Sequence, residues 1–353
     1  MRETINAYIQ QLHGYLMDPD RFPVAIAAFI IVTLIGIIRG PLGGNAYPFY
    51  WHIVDVLFGG IGGRMDKSSR PKGDLIFRGF VMSAIVLAIS YLVGRFLGVM
   101  AFYYPDYSIV EILALCLLLS SGAVWASLGR LYRALNEKKV TEGAYYNIAR
   151  STRSNMGKSD DYTITRIGMG LGLKAYDKGI VAPVIWYLIA GLPGAYLYAG
   201  LAAMSWRFGR DGHSGGFGQA PLALERLMGY IPNILSGLFV ALAGLLTPTA
   251  GMSRAFKGFF ASKGKASYEE GGFPVTTAAY SLDVALGGPT TDLDGFTIKR
   301  NWVGPEKATA QLGAKHLHRV VYICFMAHLL FLLSLCMAML FAENGPTLGF
   351  LPL

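Results

Sequence analysis

The chain has 353 residues, of which 53% are hydrophobic and 15% charged, and its mean hydropathy is +0.43. Soluble globular proteins carry about 25% charge, and here several long runs carry none, so composition excludes an ordinary soluble enzyme and defines an integral membrane protein. The formal net charge of +9 fits basic loops flanking apolar spans, and the lack of a basic stripe with interleaved aromatics argues against a nucleic-acid partner.

In chain order, Met1–Arg21 is polar and Phe22–Ile38 is a first span, read as retained and not as a cleaved leader. Arg39–Arg78 is glycine-rich and basic, and its aromatic stretch Tyr47–Gly60 is expected at the membrane interface. Gly79–Tyr104 and Ile112–Gly129 are the next spans. The latter runs into a helix marked by Leu128, Leu131 and Leu135, with Arg130 and Arg133 on its other side. Thr141-Glu142 reads as a helix start, Ser154–Asp161 as a polar turn, and a helix carrying Arg166 begins near Asp161.

Two uncharged runs follow, Gly179–Trp206 and Leu227–Ser253, around a glycine-rich insert, 207–226. Both are interrupted by Pro and Gly, which a plain anchor does not need. Such breaks free backbone groups that must be satisfied within protein or at a cavity. The Gly191-Leu-Pro-Gly194 break leaves two courses open for 179–206: a through-crossing or a re-entrant hairpin. Arg254–Arg319 is a large polar region turning at Gly287-Gly288-Pro289, and Val320–Ala342 is the last span. The expected fold is an all-α integral membrane protein, one polytopic domain over 1–353 with about six spans. Lys and Arg concentrate in 39–78, 130–178 and 254–319, which places those regions in the cytoplasm of a multi-pass inner-membrane protein.

The three cysteines, Cys116, Cys324 and Cys336, lie in apolar runs and read as buried hydrophobes. No zinc-type spacing, phosphate loop, nucleophile elbow or His-Glu-x-x-His motif occurs, which weakens nucleotide hydrolase, esterase and metalloprotease readings.

Gly179-Ile-Val-Ala182-Pro183, Ala190-Gly191-Leu-Pro-Gly194-Ala195 with Tyr198, Gly218 followed by Tyr230-Ile-Pro232, and Leu286-Gly-Gly288-Pro289 with Trp302-x-Gly304 occur in that order. Arg166 precedes them, and Arg150-Ser-Thr152 precedes that. This ordered set resembles the CobD/CbiB family of adenosylcobinamide-phosphate synthases. The resemblance implies membrane chemistry in cobalamin biosynthesis: amide attachment of aminopropanol, or its phosphate, to a corrinoid carboxylate, with ATP and magnesium. Against the family pattern, Leu173-Lys174-Ala175 replaces Ala-Glu-Asn, Lys178 replaces the Asp of an Asp-Gly pair, and Glu225-Arg226 replaces paired Asp residues. Magnesium takes oxygen ligands, usually carboxylates with phosphate, and most of those carboxylates are replaced.

The candidate catalytic residues are therefore Glu225, Asp292 and Asp294, and the candidate ligand-binding residues are Arg150, Arg166, Lys174, Lys178, Arg226, Gly287 and Gly288. The cations suit an anionic ligand, a corrinoid or another small molecule, or lipid headgroups. Glu225 reads either as a remnant of chemistry or as an ion-pair partner for Arg226 or Arg207, and the aspartates near 292 read as turn formers. No metal ligand set is assigned. Two functions stand side by side: a synthase with altered chemistry, or an inactive membrane scaffold or sensor like the related AmpE-type proteins, working with membrane partners or as a homo-oligomer. The enzyme reading requires 174–178, 205–226 and 283–294 to face one hollow.

Overall fold

The computed structural model describes residues 18–344 apart from 68, 104–107, 138–142, 158, 210–215, 249, 294 and 296. Thr141, Glu142, His213 and Asp294 lie outside the described residues. Five helical stretches are long and apolar enough to cross a membrane: Arg21–Arg39, Lys72–Tyr103, Asp161–Phe208, Gln219–Leu246 and Ala314–Ala342. Such spans put this multi-pass chain in contact with the lipid bilayer.

The helices are α1 (Arg21–Arg39), α2 (Phe49–Val54), α3 (Gly60–Met65), α4 (Lys72–Tyr103), α5 (Ser108–Cys116), α6 (Gly122–Glu137) and α7 (Ala144–Thr152). They continue with α8 (Asp161–Tyr176), α9 (Ala182–Phe208), α10 (Gln219–Leu246), α11 (Met252–Phe260), α12 (Gly272–Leu282) and α13 (Ala314–Asn344). Four two-residue strands, β1 (Leu286–Gly287), β2 (Thr290–Thr291), β3 (Thr297–Ile298) and β4 (Trp302–Val303), pair antiparallel as β1–β4 and β2–β3.

α4 shows how these helices divide protein from lipid. Gly79, Met82, Ser83, Val86, Ser90 and Gly94 recur at three- and four-residue spacing and are buried. Phe80, Leu92 and Phe96 are exposed. Small residues on the buried face let backbones approach closely, and apolar contact suffices on the lipid face. A Cβ on Gly94 would stand 2.7 Å from the Leu192 carbonyl oxygen, so α9 packs directly on the α4 backbone.

Three expectations change in detail. The stretch 112–129 is not one continuous helix. It breaks between α5 and α6, where Ser120 N donates to the Gly179 carbonyl (2.9 Å) and the Ser120 hydroxyl to that of Ala46. The aromatic stretch at α2 is partly drawn into the protein: Tyr50 and Trp51 are buried, with the Tyr50 and Ser90 hydroxyls 2.8 Å apart, while Phe49, Val56 and Leu57 are exposed. Within the region read as polar, α12 is largely buried.

Asp161–Phe208 holds 48 residues. Straight, it would run about 72 Å, over twice the ~30 Å hydrocarbon core. It bends instead. Asp160 starts it by accepting a hydrogen bond from Thr163 N (3.0 Å). A π turn over Asp177–Val181 interrupts it. A corner at Ala190 and Gly191 then turns it back, with Gly191 at φ 64°, ψ −160°, a region almost reserved for glycine. A Cβ on Gly194 would lie 2.9 Å from the Trp186 carbonyl oxygen eight residues earlier, a contact no straight helix makes. Arg21 holds the corner by donating to the Leu188 carbonyl (3.0 Å), and Tyr187 donates to Glu111 Oε1 (2.8 Å).

Candidate functional site

The hairpin has a consequence for chemistry. Lys178 on one arm and Ser205 on the other line the same cavity, although a straight helix would set them about 40 Å apart. The cavity is about 120 Å³. Its wall includes Lys174, Lys178, Ser205, Trp206, Gly209, Leu222, Gly287 and Thr290. Described residues of the segments 174–178, 205–226 and 283–294 thus line one hollow.

Beneath it lies a buried ionic cluster. Lys178 Nζ is 2.7 Å from Glu225 Oε1, and Glu225 is 0% exposed. The Tyr268 hydroxyl donates to the same oxygen (3.1 Å), and Lys178 Nζ sits 4.4 Å from the centre of the Tyr268 ring. Burial, then the Glu225 charge, pushes the Tyr268 phenol well above its usual range, so it remains a proton donor. Asp177 is also buried, accepting from Asn233 Nδ2 (2.5 Å) and the Ser236 hydroxyl (2.8 Å). The Asn233 side-chain oxygen accepts from Phe273 N (2.9 Å), which ties α10 to α12. Glu225 Oε2 has no hydrogen-bond partner among the described residues.

The cavity wall carries Arg166, Lys174, Lys178 and Arg300 against two carboxylates, Glu269 and Glu270. Arg226 pairs with Glu269 (3.1 Å) and Arg300 approaches Glu270 (4.0 Å). Arg166 donates to the Pro289 carbonyl (2.8 Å), and its guanidinium carbon lies 4.7 Å from the centre of the Trp302 ring. Pro289 lies between β1 and β2, and Trp302 belongs to β4. Gly287 and Gly288 have φ near +70°, and a Cβ on Gly288 would meet Arg166 and the Trp302 ring.

The candidate residues therefore separate. Arg166, Lys174, Lys178 and Gly287 line the cavity, Glu225 lies under it, and Gly288 adjoins Arg166. Arg226 stands outside, half exposed, on Glu269. Arg150 lines a neighbouring hollow and donates to the Tyr146 hydroxyl (3.2 Å). Asp292 is absent from the cavity wall, and its carboxylate accepts from Leu293 N (2.8 Å), as a turn former does. Asp294 lies outside the described residues. Asp283 ends α12 in the left-handed region. The ion-pair reading of Glu225 holds with a different partner: Lys178, while Arg226 and Arg207 pair with Glu269 and Asp55.

Sequence reasoning passed over Asp177, Asn233, Tyr268, Thr290 and Arg300. For Asp177 the signal was present, an ionisable residue at the head of an apolar run. The family pattern places its acidic position at Lys178, and a π turn, which often marks a functional site, buries both neighbours.

The resemblance implies magnesium, and the residues present do not fit it. Among the described residues no three His, Cys, Asp or Glu side chains come together as a metal set. Lys178 Nζ occupies one oxygen of Glu225, and Asn233 and Ser236 occupy those of Asp177.

Fold and site together define a polytopic helical membrane protein with a cation-lined cavity over a buried ionic cluster. The family model described as CobD/Cbib protein matches residues 27–324. The chain belongs to the CobD/CbiB family. Among its relatives, the cobalamin biosynthesis protein CobD of Clostridium acetobutylicum is 23% identical over 267 residues, covering 73% of this chain and 81% of that protein. That of Brucella anthropi is 25% identical over 222 residues, 62% of this chain and 66% of the relative. A probable cobalamin biosynthesis protein CobD of Pyrococcus abyssi is 26% identical over 208 residues, 57% of this chain and 66% of the relative. No solved structure matches.

Proposed function

We propose that this chain works in cobalamin biosynthesis in the bacterial cytoplasmic membrane, with its cavity open to the cytoplasm, attaching aminopropanol or its phosphate to a corrinoid carboxylate through an amide bond. The observation that carries the reading is the meeting of three distant segments at one hollow with four cations on its wall. At about 120 Å³ the hollow admits an arm of a substrate and not a corrin ring, so the macrocycle stays at the mouth. In such a reaction a carboxylate oxygen would take a phosphoryl group from a nucleoside triphosphate, releasing the diphosphate, and the amine nitrogen would then bond to the carboxylate carbon, releasing phosphate and giving up its proton to solvent. This chain's part is to hold the anionic arms by charge-assisted hydrogen bonds. Lys178 on Glu225 gives the site a different charge arrangement from the family's carboxylates, and the chemistry is altered accordingly.

One observation favours a second reading. With both buried carboxylates engaged, the protein would bind an anion and catalyse nothing, as a scaffold or sensor. The two readings part in a strain lacking its own synthase and supplied with the corrinoid acid and aminopropanol phosphate. Amide product detected by mass spectrometry, and lost in Glu225→Ala and Lys178→Glu, is the expected result. No product from the parent chain at normal membrane levels would remove the synthase reading and leave the scaffold.

A further inference from the structure

A larger hollow lies among the N-terminal helices. It occupies about 720 Å³ between α1, α2, α5 and the start of α6, within the ~300–1,000 Å³ of ligand pockets. Val32 and Ile35 of α1, Leu97 of α4, Leu113 of α5, and Leu117 and Phe49 line it. Ile35, Phe49, Leu113 and Leu117 are also exposed, so the hollow is an apolar groove open at its side. Among the described residues it shares only Tyr47 with the wall of the cavity over the ionic cluster.

The break between α5 and α6 makes this groove. α5 ends beside Ala28, whose carbonyl accepts from Cys116 Sγ (3.5 Å). α6 begins near Gly36, where a Cβ on Gly122 would meet the Thr33 carbonyl. Ala28 and Gly36 stand about 12 Å apart along α1. Over that distance the neighbouring segment, 117–121, is not helical. Its backbone is satisfied within the protein: Ser120 N donates to the Gly179 carbonyl and Tyr50 N to that of Leu117, both at 2.9 Å. The space left beside α1 is therefore apolar, and it suits hydrocarbon better than water.

One end of the groove is cationic. Arg39 follows the uncharged run Phe22–Ile38, which sets it at the headgroup boundary. It lines the groove beside Gly40, and a Cβ on Gly40 would stand 2.8 Å from an Arg130 guanidinium nitrogen. Neither arginine makes an ion pair among the described residues, and no described carboxylate lines the groove. An apolar trough with an uncompensated basic end is complementary to a lipid whose headgroup is anionic.

We propose that this groove binds one anionic phospholipid, an acyl chain lying between α1 and α5 and the phosphate resting on Arg39 and Arg130. The chain of the lipid covers α1 where the broken span leaves it bare.

Native mass spectrometry of the detergent-solubilised full chain, titrated with dioleoyl phosphatidylglycerol or dioleoyl phosphatidylcholine, tests the site. One phosphatidylglycerol per chain should bind about tenfold or more tightly than phosphatidylcholine. Arg39→Gln and Arg130→Gln should each weaken it about tenfold, the effect of one charge-assisted hydrogen bond. Arg64→Gln, at an exposed position on α3 outside the groove, should not. Ile35→Trp should fill the groove and displace the lipid. None of these four positions is buried, so the variants should fold. Glycerol 1-phosphate, a headgroup without chains, should not compete. Equal retention of the two lipids, retention indifferent to the arginine variants or to Ile35→Trp, or competition by glycerol 1-phosphate would overturn the proposal. So would a lipid-free dimer that Ile35→Trp splits, which would assign the groove to a second copy of this chain.

Discussion

Lys178 and Glu225 form a close buried ion pair, 2.7 Å apart with Glu225 fully buried. Removing one member of such a pair strands a charge and costs about 3–5 kcal/mol, whereas replacing both by apolar residues of similar size is often neutral or better. Glu225→Leu is therefore expected to lower the melting point of the detergent-solubilised protein by several degrees, and Lys178→Met with Glu225→Leu to restore most of it. Scanning fluorimetry on the parent, the single and the double variant checks this, and an unaffected single variant would mean that the pair is not formed. The residue scale is also where sequence reasoning was least complete. Lys178 and Glu225 are visible in the chain as residues out of keeping with their apolar neighbours, but 46 intervening positions hide their pairing. Asp177 was passed over because its neighbour matched a motif position better, and only the π turn buries both.

Among the elements, the hairpin made by α8 and α9 decides where the site lies. Its corner depends on Gly191, whose backbone lies in a region that costs other residues about 1–3 kcal/mol. An added Cβ there would meet the Arg21 guanidinium only at ordinary contact distance, 3.5 Å, so the cost lies in the backbone. Gly191→Ala should lower stability by about that amount and loosen the alignment of Lys178 with Ser205. Scanning fluorimetry reads the first effect: the Gly191→Ala chain should melt several degrees below the parent, and an equal melting point would show that the corner does not depend on glycine. The Gly-Leu-Pro-Gly sequence announced a break, because Pro removes a donor and Gly permits unusual angles. It left the direction of the chain beyond the break open, since that follows from packing against Gly94 and from the Arg21 and Tyr187 contacts at the corner.

For the whole molecule, the cavity requires residues before the hairpin and after α12 to lie on one side of the membrane. Tyr162 and Leu293 are both exposed, and single cysteines placed there, with Cys116, Cys324 and Cys336 replaced, should react with an impermeant maleimide in inverted vesicles and not in intact cells. Labelling from opposite sides would dissolve the shared hollow and with it the proposed site. The membrane class, the long apolar helices and the family were legible in the chain itself, because apolar run length, Pro and Gly breaks and motif order are local or linear properties that need no partner to be read. The register of the hairpin, the pairing of Lys178 with Glu225, and the exclusion of Arg150, Arg226 and Asp292 from the cavity were settled by tertiary structure alone. A side chain's partner is set by which helices the bilayer and close packing bring together, and that is a relation between distant segments which no single segment carries.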